Sequence, residues 1–124
     1  MSDKYQARKI AIFYIYANYF NENDISVFLE NKENVDLRYI ETLISLYRNQ
    51  QKIIKKLLSY ILKKERLTTF HMVLLMVMVA ENYIVEFTDE DVRDYIQIAN
   101  KYADQFLIDI IYFAKKSNIL KLAQ

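Results

Sequence analysis

Hydrophobic residues recur along this chain at helical spacing, beginning with YQARKIAIFYIYANYF at residues 5–20. At 100° per residue the apolar side chains of this run point in almost every direction, and Arg8, Lys9 and Asn18 are its only strongly polar residues beyond position 6. A helix that is apolar all round is enclosed by other elements or lies in a membrane. Its positive charges occupy the first turn, where the helix dipole disfavours them. The pattern therefore predicts a buried first helix whose charged end needs an explanation.

The breaks between helices depend on Asn, Asp, Ser and Thr, because the chain contains no Gly and no Pro. NENDIS at 21–26 and NKENVD at 31–36 are two such breaks, and a short helical piece lies between them. From residue 36 to about residue 64 the pattern is helical again. A break near Asn49 would divide this stretch into two helices; otherwise it forms one long bent helix.

The second half of the chain predicts three more helices. The apolar run MVLLMVMVA at 72–80 predicts a buried core helix. Thr88, followed three residues later by Asp91, resembles a capping box and begins a predicted helix over 89–103. A last helix is predicted over about 104–121.

These elements predict an all-α fold, a compact bundle of six or seven helices. Strand signals are weak, because no alternating run is bounded by hairpin turn residues. A chain of 124 residues is long enough for one core and too short for two, so we expect one domain over 1–124.

Composition indicates a soluble, globular protein, which we expect to be cytoplasmic. Hydrophobic residues make up 53% of the chain and charged residues 27%, with a net charge of +1, so any charged site must be a local patch. The absence of cysteine excludes disulfides and thiolate metal sites. The run at 72–80 is about half of the roughly twenty residues that a membrane span requires. The N-terminal MSDKYQ does not resemble a secretory signal.

Residues for catalysis are scarce. The single histidine, His71, lies beside Phe70 and Met72 at the start of the most apolar helix, which is typical of a structural role. One histidine without cysteine does not make a zinc site, and a chain without glycine has no glycine-rich phosphate loop. We therefore expect no enzyme, no catalytic residue, no metal and no cofactor.

Basic and acidic residues are unevenly distributed along the chain between residues 48 and 109. Seven basic residues, Lys64 among them, and one acid, Glu65, lie between 48 and 66. On a continuous helix six of these cations share one face: Arg48, Lys52, Lys55, Lys56, Lys63 and Arg66. The simpler interpretation is a solvated face; the alternative is a stripe that follows a phosphate backbone. By contrast, residues 81–109 contain eight acids against two basic residues, Arg93 and Lys101. A molecule with a basic side and an acidic side could hold RNA on the basic side and a basic protein on the acidic side.

Several of these stretches resemble the NusB family of transcription antitermination factors. The family opens with a pattern like A-R-x-x-A-x-x-x-L-Y, matched here by Ala7-Arg8, Ala11 and Ile15-Tyr16. Its x-x-N-x-x-x-I pattern is similar to residues 46–49 with Ile53. Its I-L-R-x-A-x-Y-E-L stretch is matched in register by Leu74, Leu75 and Glu81. Its closing I-N-E-A-x-E-L-A-K-x-F and F-V-N-x-x-L patterns are similar to residues 92–102 and 107–109.

The chain departs from the family at several of these positions. The family's arginine cluster is reduced to Lys4, Arg8 and Lys9, with Tyr5 and Gln6 where arginines usually stand. Met76 replaces the arginine of I-L-R, and Asp109 replaces the asparagine of F-V-N. These departures affect expected RNA contacts more than the expected fold.

The resemblance implies an antitermination factor that binds the boxA segment of ribosomal RNA with NusE, a ribosomal small-subunit protein, in a complex with RNA polymerase. It implies that helix one is central to the bundle and that its charged first turn belongs to the RNA surface. The lysines and arginine would meet phosphates, while tyrosine and glutamine would stack on bases or hydrogen-bond them. The RNA-binding residues it implies are Lys4, Gln6, Arg8, Lys9, Tyr16, Tyr102 and Asp104, and the residue implied for the partner protein is Glu81.

Other interpretations stay open. The chain could be a helical protein-interaction module that has lost specific RNA binding. It could also correspond to the related helical domain attached to ribosomal RNA cytosine methyltransferases. The oligomeric state and the preferred RNA sequence do not follow from these patterns.

Overall fold

The computed structural model describes residues 3–22, 24–29, 35–61 and 68–99, with the backbone alone described for 57–61. These residues form five α-helices and no strand: α1 Tyr5–Asn18, α2 Ser26–Leu29, α3 Leu37–Ile61, α4 Thr69–Asn82 and α5 Asp89–Ala99. The all-α prediction is therefore confirmed. The predicted last helix over 104–121 lies outside the described residues, so the count of six or seven helices stays a prediction.

Side-chain caps start the last two of these helices. The Thr68 hydroxyl accepts a hydrogen bond from the His71 backbone N–H at 3.1 Å, which satisfies a free donor at the start of α4. At the start of α5, the Thr88 N–H donates to Asp91 Oδ2 at 2.9 Å, and the Asp91 N–H donates to the Thr88 hydroxyl at 3.3 Å. This reciprocal pair is a capping box, as the sequence predicted.

α3 is one continuous helix of 25 residues, so of the two alternatives the break near Asn49 is wrong. The exposed Asn49 does not cap a new helix, and the apolar stripe stays in phase across it: Tyr47 and Ile54, seven residues apart, are both buried. Ile53 was expected opposite the basic residues, on the core side, but it is 45% exposed. Its position at the border of the apolar stripe explains this difference.

α4 is the most deeply buried of the described helices. Every residue from Val73 to Glu81 is buried, and the helix packs against α1, α3 and α5. None of the described helices combines the length and the hydropathy needed to cross a bilayer. The apolar run at 72–80 is therefore core, as predicted.

α1 contacts each of the other four described helices, in keeping with the expectation that helix one is central. Ala7, Ala11, Ile12 and Ile15 are buried against these neighbours. One face of α1 nevertheless stays open, since Phe13 is 37% exposed. The apolar-all-round pattern thus comprises an aliphatic face in the core and an aromatic face at the surface.

Candidate functional site

The side chain of Arg8 lies fully buried in the interior of the bundle, where it joins α1 to α4 and α5. Its Nε donates to Glu81 Oε1 at 2.7 Å, and its Nη2 donates to Glu81 Oε2 at 2.9 Å. Its Nη1 donates to Asp94 Oδ2 at 2.9 Å, and Nη2 also donates to Asp91 Oδ1 at 2.9 Å. The planar guanidinium suits this task because its fork of N–H donors can hold several carboxylate oxygens at once.

Two tyrosines complete the coordination of the Glu81 carboxylate. Tyr95 donates its hydroxyl proton to Oε1 at 2.5 Å, and Tyr39 donates to Oε2. Burial raises the pKa of the Tyr95 hydroxyl well above its ordinary value, and the Glu81 charge raises it further. Burial and the same carboxylate raise the pKa of Tyr39. Both hydroxyls therefore stay protonated as donors. We call Arg8, Glu81, Asp91, Asp94, Tyr39 and Tyr95 the buried ion cluster.

The first-turn charge of α1 is explained by this cluster. Asp91 and Asp94 come from α5, and Glu81 comes from the last turn of α4, so carboxylates surround the cation that the helix dipole disfavours. Burial acts to raise the pKa of Asp91, but hydrogen bonds from Thr88 and Arg8 outweigh it and hold that pKa below its ordinary value. Asp91 thus carries its charge at neutral pH.

Two residues assigned to binding by the resemblance lie inside the molecule. Arg8 and Glu81 are fully buried and paired with each other, which leaves neither side chain any surface for RNA or for a partner protein. Burial of Asp94 removes a further acid from the predicted acidic side, and Asp91 is half-buried on Arg8. In this structure these charges hold helices together.

The other predicted RNA contacts in the described residues lie on α1 or, for Lys4, at its N-cap. Lys4 lies 5.0 Å from the ring centre of Tyr39, beside the buried ion cluster. Gln6 is exposed, and Lys9 and Tyr16 are half-buried at the mouth of a cleft. Tyr102 and Asp104 lie outside the described residues.

The cleft lined by Lys9 and Tyr16 lies between α1, the start of α4 and the end of α5. Its volume is about 570 Å³. Its described lining is mainly aromatic with a few polar groups: Tyr5, Lys9, Phe13, Tyr16, Thr68, Phe70, His71, Gln97 and Ile98. We call this the aromatic cleft.

Ring contacts fix the geometry of the aromatic cleft. The Phe70 ring lies 5.3 Å from the Phe13 ring and 5.3 Å from the Tyr16 ring, the latter edge to face. The Lys9 ammonium lies 6.0 Å from the centre of the Tyr5 ring. Burial raises the pKa of Tyr5, and the Asp94 charge adds to this, so its hydroxyl is protonated at neutral pH.

The sequence interpretation missed Phe13, Phe70 and Gln97 as cleft residues. The sequence did contain a signal for Phe13. Spacings of four, three and four residues place one set of side chains on a single helix face: Lys9, Phe13, Tyr16 and Phe20. That face is aromatic, whereas the core face of α1 carries alanine and isoleucine. Phe70 and Gln97 come from other helices, so only the tertiary arrangement brings them to the cleft.

The aromatic cleft offers ring surfaces, one cation and an amide. Flat apolar side chains stack on heteroaromatic rings, an ammonium attracts a phosphate, and an amide hydrogen-bonds a base edge. In the described part of the chain, no group of three or more His, Cys, Asp or Glu residues is arranged to hold a metal ion. The acids of the buried ion cluster share the guanidinium of Arg8 as their cation.

No protein-family model, curated protein or solved structure matches this chain. The resemblance to the NusB family therefore depends on its motif residues alone. Most of the described ones are core residues: Ala7, Arg8, Ala11, Ile15, Leu74, Leu75 and Glu81 are all buried. The motifs consequently bear on how the helices pack more directly than on what the surface binds.

Proposed function

We propose that this protein is a NusB-like, cytoplasmic transcription antitermination factor that binds boxA-type ribosomal RNA together with NusE. The observation that supports this most is the aromatic cleft, where Lys9 and Tyr16 meet the rings of Tyr5, Phe13 and Phe70. Sequence-specific recognition of RNA generally uses unpaired bases, which stack on aromatic side chains while cations meet the phosphates. The cleft holds both kinds of group.

Each group has a distinct task in the proposed complex. The Phe13 ring, 37% exposed, offers a face to one base. It packs on the Phe70 ring, which in turn packs on Tyr16. Lys9 meets the adjacent phosphate, and Gln97 hydrogen-bonds the edge of the stacked base. Phosphate contact positions the strand, and base contact supplies the preference for sequence.

The buried ion cluster supports the family assignment in a different way. Arg8 stands in the family's A-R pattern and Glu81 in its Y-E-L pattern, 73 residues apart, and the two form a bidentate ion pair. Residues that carry the resemblance in distant segments therefore depend on each other physically. This is what a shared helix arrangement would require.

The alternative function is that of a helical protein-interaction module without specific RNA binding. Fewer acids are available to a basic partner than the sequence predicted, because Glu81, Asp91 and Asp94 bind Arg8. Glu86, Asp89 and Glu90 stay exposed around the start of α5. We place the surface for NusE there, in place of Glu81.

The decisive experiment is fluorescence anisotropy of labelled boxA-type RNA and of a scrambled RNA, at two salt concentrations, with and without NusE. We expect tighter binding of boxA-type RNA than of the scrambled control, and a further gain when NusE is present. Equal, salt-sensitive binding of both RNAs that is indifferent to NusE would overturn the proposal. Binding of NusE without RNA affinity would favour the protein-interaction module.

A further inference from the structure

The outer face of α3 carries a basic stripe that the proposed cleft does not use. Arg48, Lys52, Lys55 and Lys56 are all exposed, and no acid lies between the first and the last of them. The spacing of four and three places the first three on one face, over about 10 Å of helix. We define the basic stripe as these four residues. Lys63 and Arg66, which the sequence placed on the same face, lie outside the described residues, as does Lys64.

Exposed aromatic residues at the end of α1 lie between the aromatic cleft and the basic stripe. The Tyr16 ring, at the cleft, lies 5.2 Å from the ring of Phe20, which is 64% exposed. The neighbouring Tyr19 is 43% exposed. The Lys55 ammonium lies 6.0 Å from the centre of the Tyr19 ring. Aromatic and cationic groups therefore continue from the cleft to α3.

Tyr19 is held on α3 by a second contact. Its hydroxyl shares a hydrogen bond of 2.5 Å with the hydroxyl of Tyr47, whose side chain is buried. Burial raises the pKa of Tyr47, and the hydrogen bond with Tyr19 adds to this, so the Tyr47 hydroxyl stays protonated. The Tyr19 ring is thus positioned before any ligand arrives, which lowers the entropic cost of stacking on it.

We propose that the basic stripe is a second phosphate-binding surface for the same single-stranded RNA, with Tyr19 and Phe20 as the stacking platform between it and the aromatic cleft. The inference rests on the proposed function, since it extends the path of the RNA beyond the cleft. Alternation of cations with exposed rings is the usual surface for single-stranded nucleic acid. From Lys9 to Tyr19 the path covers about 15 Å along α1.

RNA fits this surface better than a membrane does. A basic amphipathic helix binds lipid by inserting its apolar face. The apolar face of α3 is already buried in the bundle through Ile40, Leu43, Tyr47 and Ile54. The described residues of α3 that stay exposed are mainly polar, with Ile53 at the border of the apolar stripe. Lysine ammonium groups follow a phosphate chain as point charges without reading its sequence.

The test compares two RNAs of different length on matched variants. A boxA-type RNA fragment of about 3 nucleotides, roughly 10 Å long when stacked, stays within the cleft. An RNA of about 14 nucleotides also reaches α3, within the usual range of site sizes. The double substitution Lys52→Gln/Lys55→Gln removes two charges from the basic stripe. Arg38→Gln is the matched control, because Arg38 is exposed on the same helix about 15 Å before the stripe.

We expect the double variant to bind the longer RNA roughly 10-fold more weakly at low salt, with the log–log salt slope reduced by about 1.4, or 0.7 for each lost phosphate contact. The shorter RNA should bind unchanged, and Arg38→Gln should leave both affinities unchanged. Circular dichroism melting of the variants should match the wild type, because the substituted side chains are exposed.

Other outcomes separate the two proposals. If Lys9→Gln weakens both RNAs while the double variant weakens neither, the inference about the basic stripe falls and the proposed function stands. If Arg38→Gln and the stripe variant lose the same affinity per charge, only net charge matters and the inference also falls. If polyglutamate binds the stripe more tightly than the longer RNA does, the surface belongs to an acidic protein. If the wild type binds no RNA, both proposals fall.

Discussion

Arg8 and Lys9 are neighbours on α1 and carry the same charge, but they serve two different regions of the molecule. Arg8 points into the bundle, where Glu81, Asp91 and Asp94 bind it. Lys9, one residue and 100° further round the helix, points to the aromatic cleft at the surface. The position of a cation on the helix face, rather than its charge or its place in a motif, therefore decides whether it stabilises the fold or is open to a ligand.

Arg8→Leu should change the molecule most, by lowering its stability. Removing the guanidinium leaves buried carboxylates without a counter-charge, which costs about 3–5 kcal/mol of unfolding free energy. Urea denaturation followed by circular dichroism measures this loss. Lys9→Gln, the neighbour control, should stay within about 0.5 kcal/mol of the wild type.

A compensated variant keeps this prediction testable if Arg8→Leu does not fold. Neutralising the cluster with Arg8→Met, Glu81→Gln and Asp94→Asn together removes the uncompensated charges and should recover part of the loss. A loss of less than about 1 kcal/mol in Arg8→Leu alone would contradict the structural role of the cluster.

The next effect is on RNA affinity, from Phe13→Leu in the aromatic cleft. Leucine keeps an apolar side chain but removes the ring face, so binding of boxA-type RNA should weaken by about 1–3 kcal/mol, the usual value for one stacked base. Tyr83→Leu is the matched control, because Tyr83 is also 37% exposed but follows the last turn of α4, at the opposite end of that helix from Phe70. Equal losses in the two variants would remove the cleft from the binding surface.

A smaller effect depends on pH and concerns Asp91. At pH 7 Asp91→Asn should lower stability by about 1 kcal/mol, because it weakens the capping box and the bond to Arg8. The pKa of Asp91 is held below its ordinary value, so its contribution is fully present above about pH 4 and is lost as the pH falls through the lower folded-state pKa. Denaturation of both proteins between pH 7 and pH 3 should show the difference shrinking with acid. A difference that stays constant would assign Asp91 a role independent of its charge.

The smallest effect is on the salt dependence of binding, from Lys9→Gln. Loss of one phosphate contact should reduce the log–log salt slope by about 0.7 for single-stranded RNA. Lys4→Gln is the comparison, since Lys4 lies beside Tyr39 and outside the described lining of the cleft. A larger change of slope for Lys4 than for Lys9 would move the phosphate contact to the start of the helix.

Much of the fold could be predicted, because helix periodicity and capping are local. The Thr88–Asp91 capping box needs only four consecutive residues, and the burial of 73–80 follows from an uninterrupted apolar run. The continuity of α3 was harder to predict, because Asn49 is a residue that ends helices in other contexts. In α3 the phase of the apolar stripe predicts the continuous helix better than the single residue Asn49 does.

The site could be predicted only in part, because both faces of α1 are apolar and periodicity does not distinguish them. Ile12 and Ile15 lie on the core face, while Phe13 and Tyr16 lie at the cleft. Arg8 points inward because carboxylates from α4 and α5 surround it, and only the tertiary arrangement brings those carboxylates together. Long-range charge pairing of this kind leaves no local pattern in one sequence.

The carboxylate of Asp91 takes part in two interactions at once, since Oδ2 closes the capping box and Oδ1 binds Arg8. The first turn of α5 therefore gains its end cap and its attachment to α1 from a single side chain. In the kinetics of folding, this couples nucleation of α5 to its docking. Backbone amide protons early in α5 and at the start of α1 should then exchange with solvent as one cooperative unit, opening together and with the same free energy.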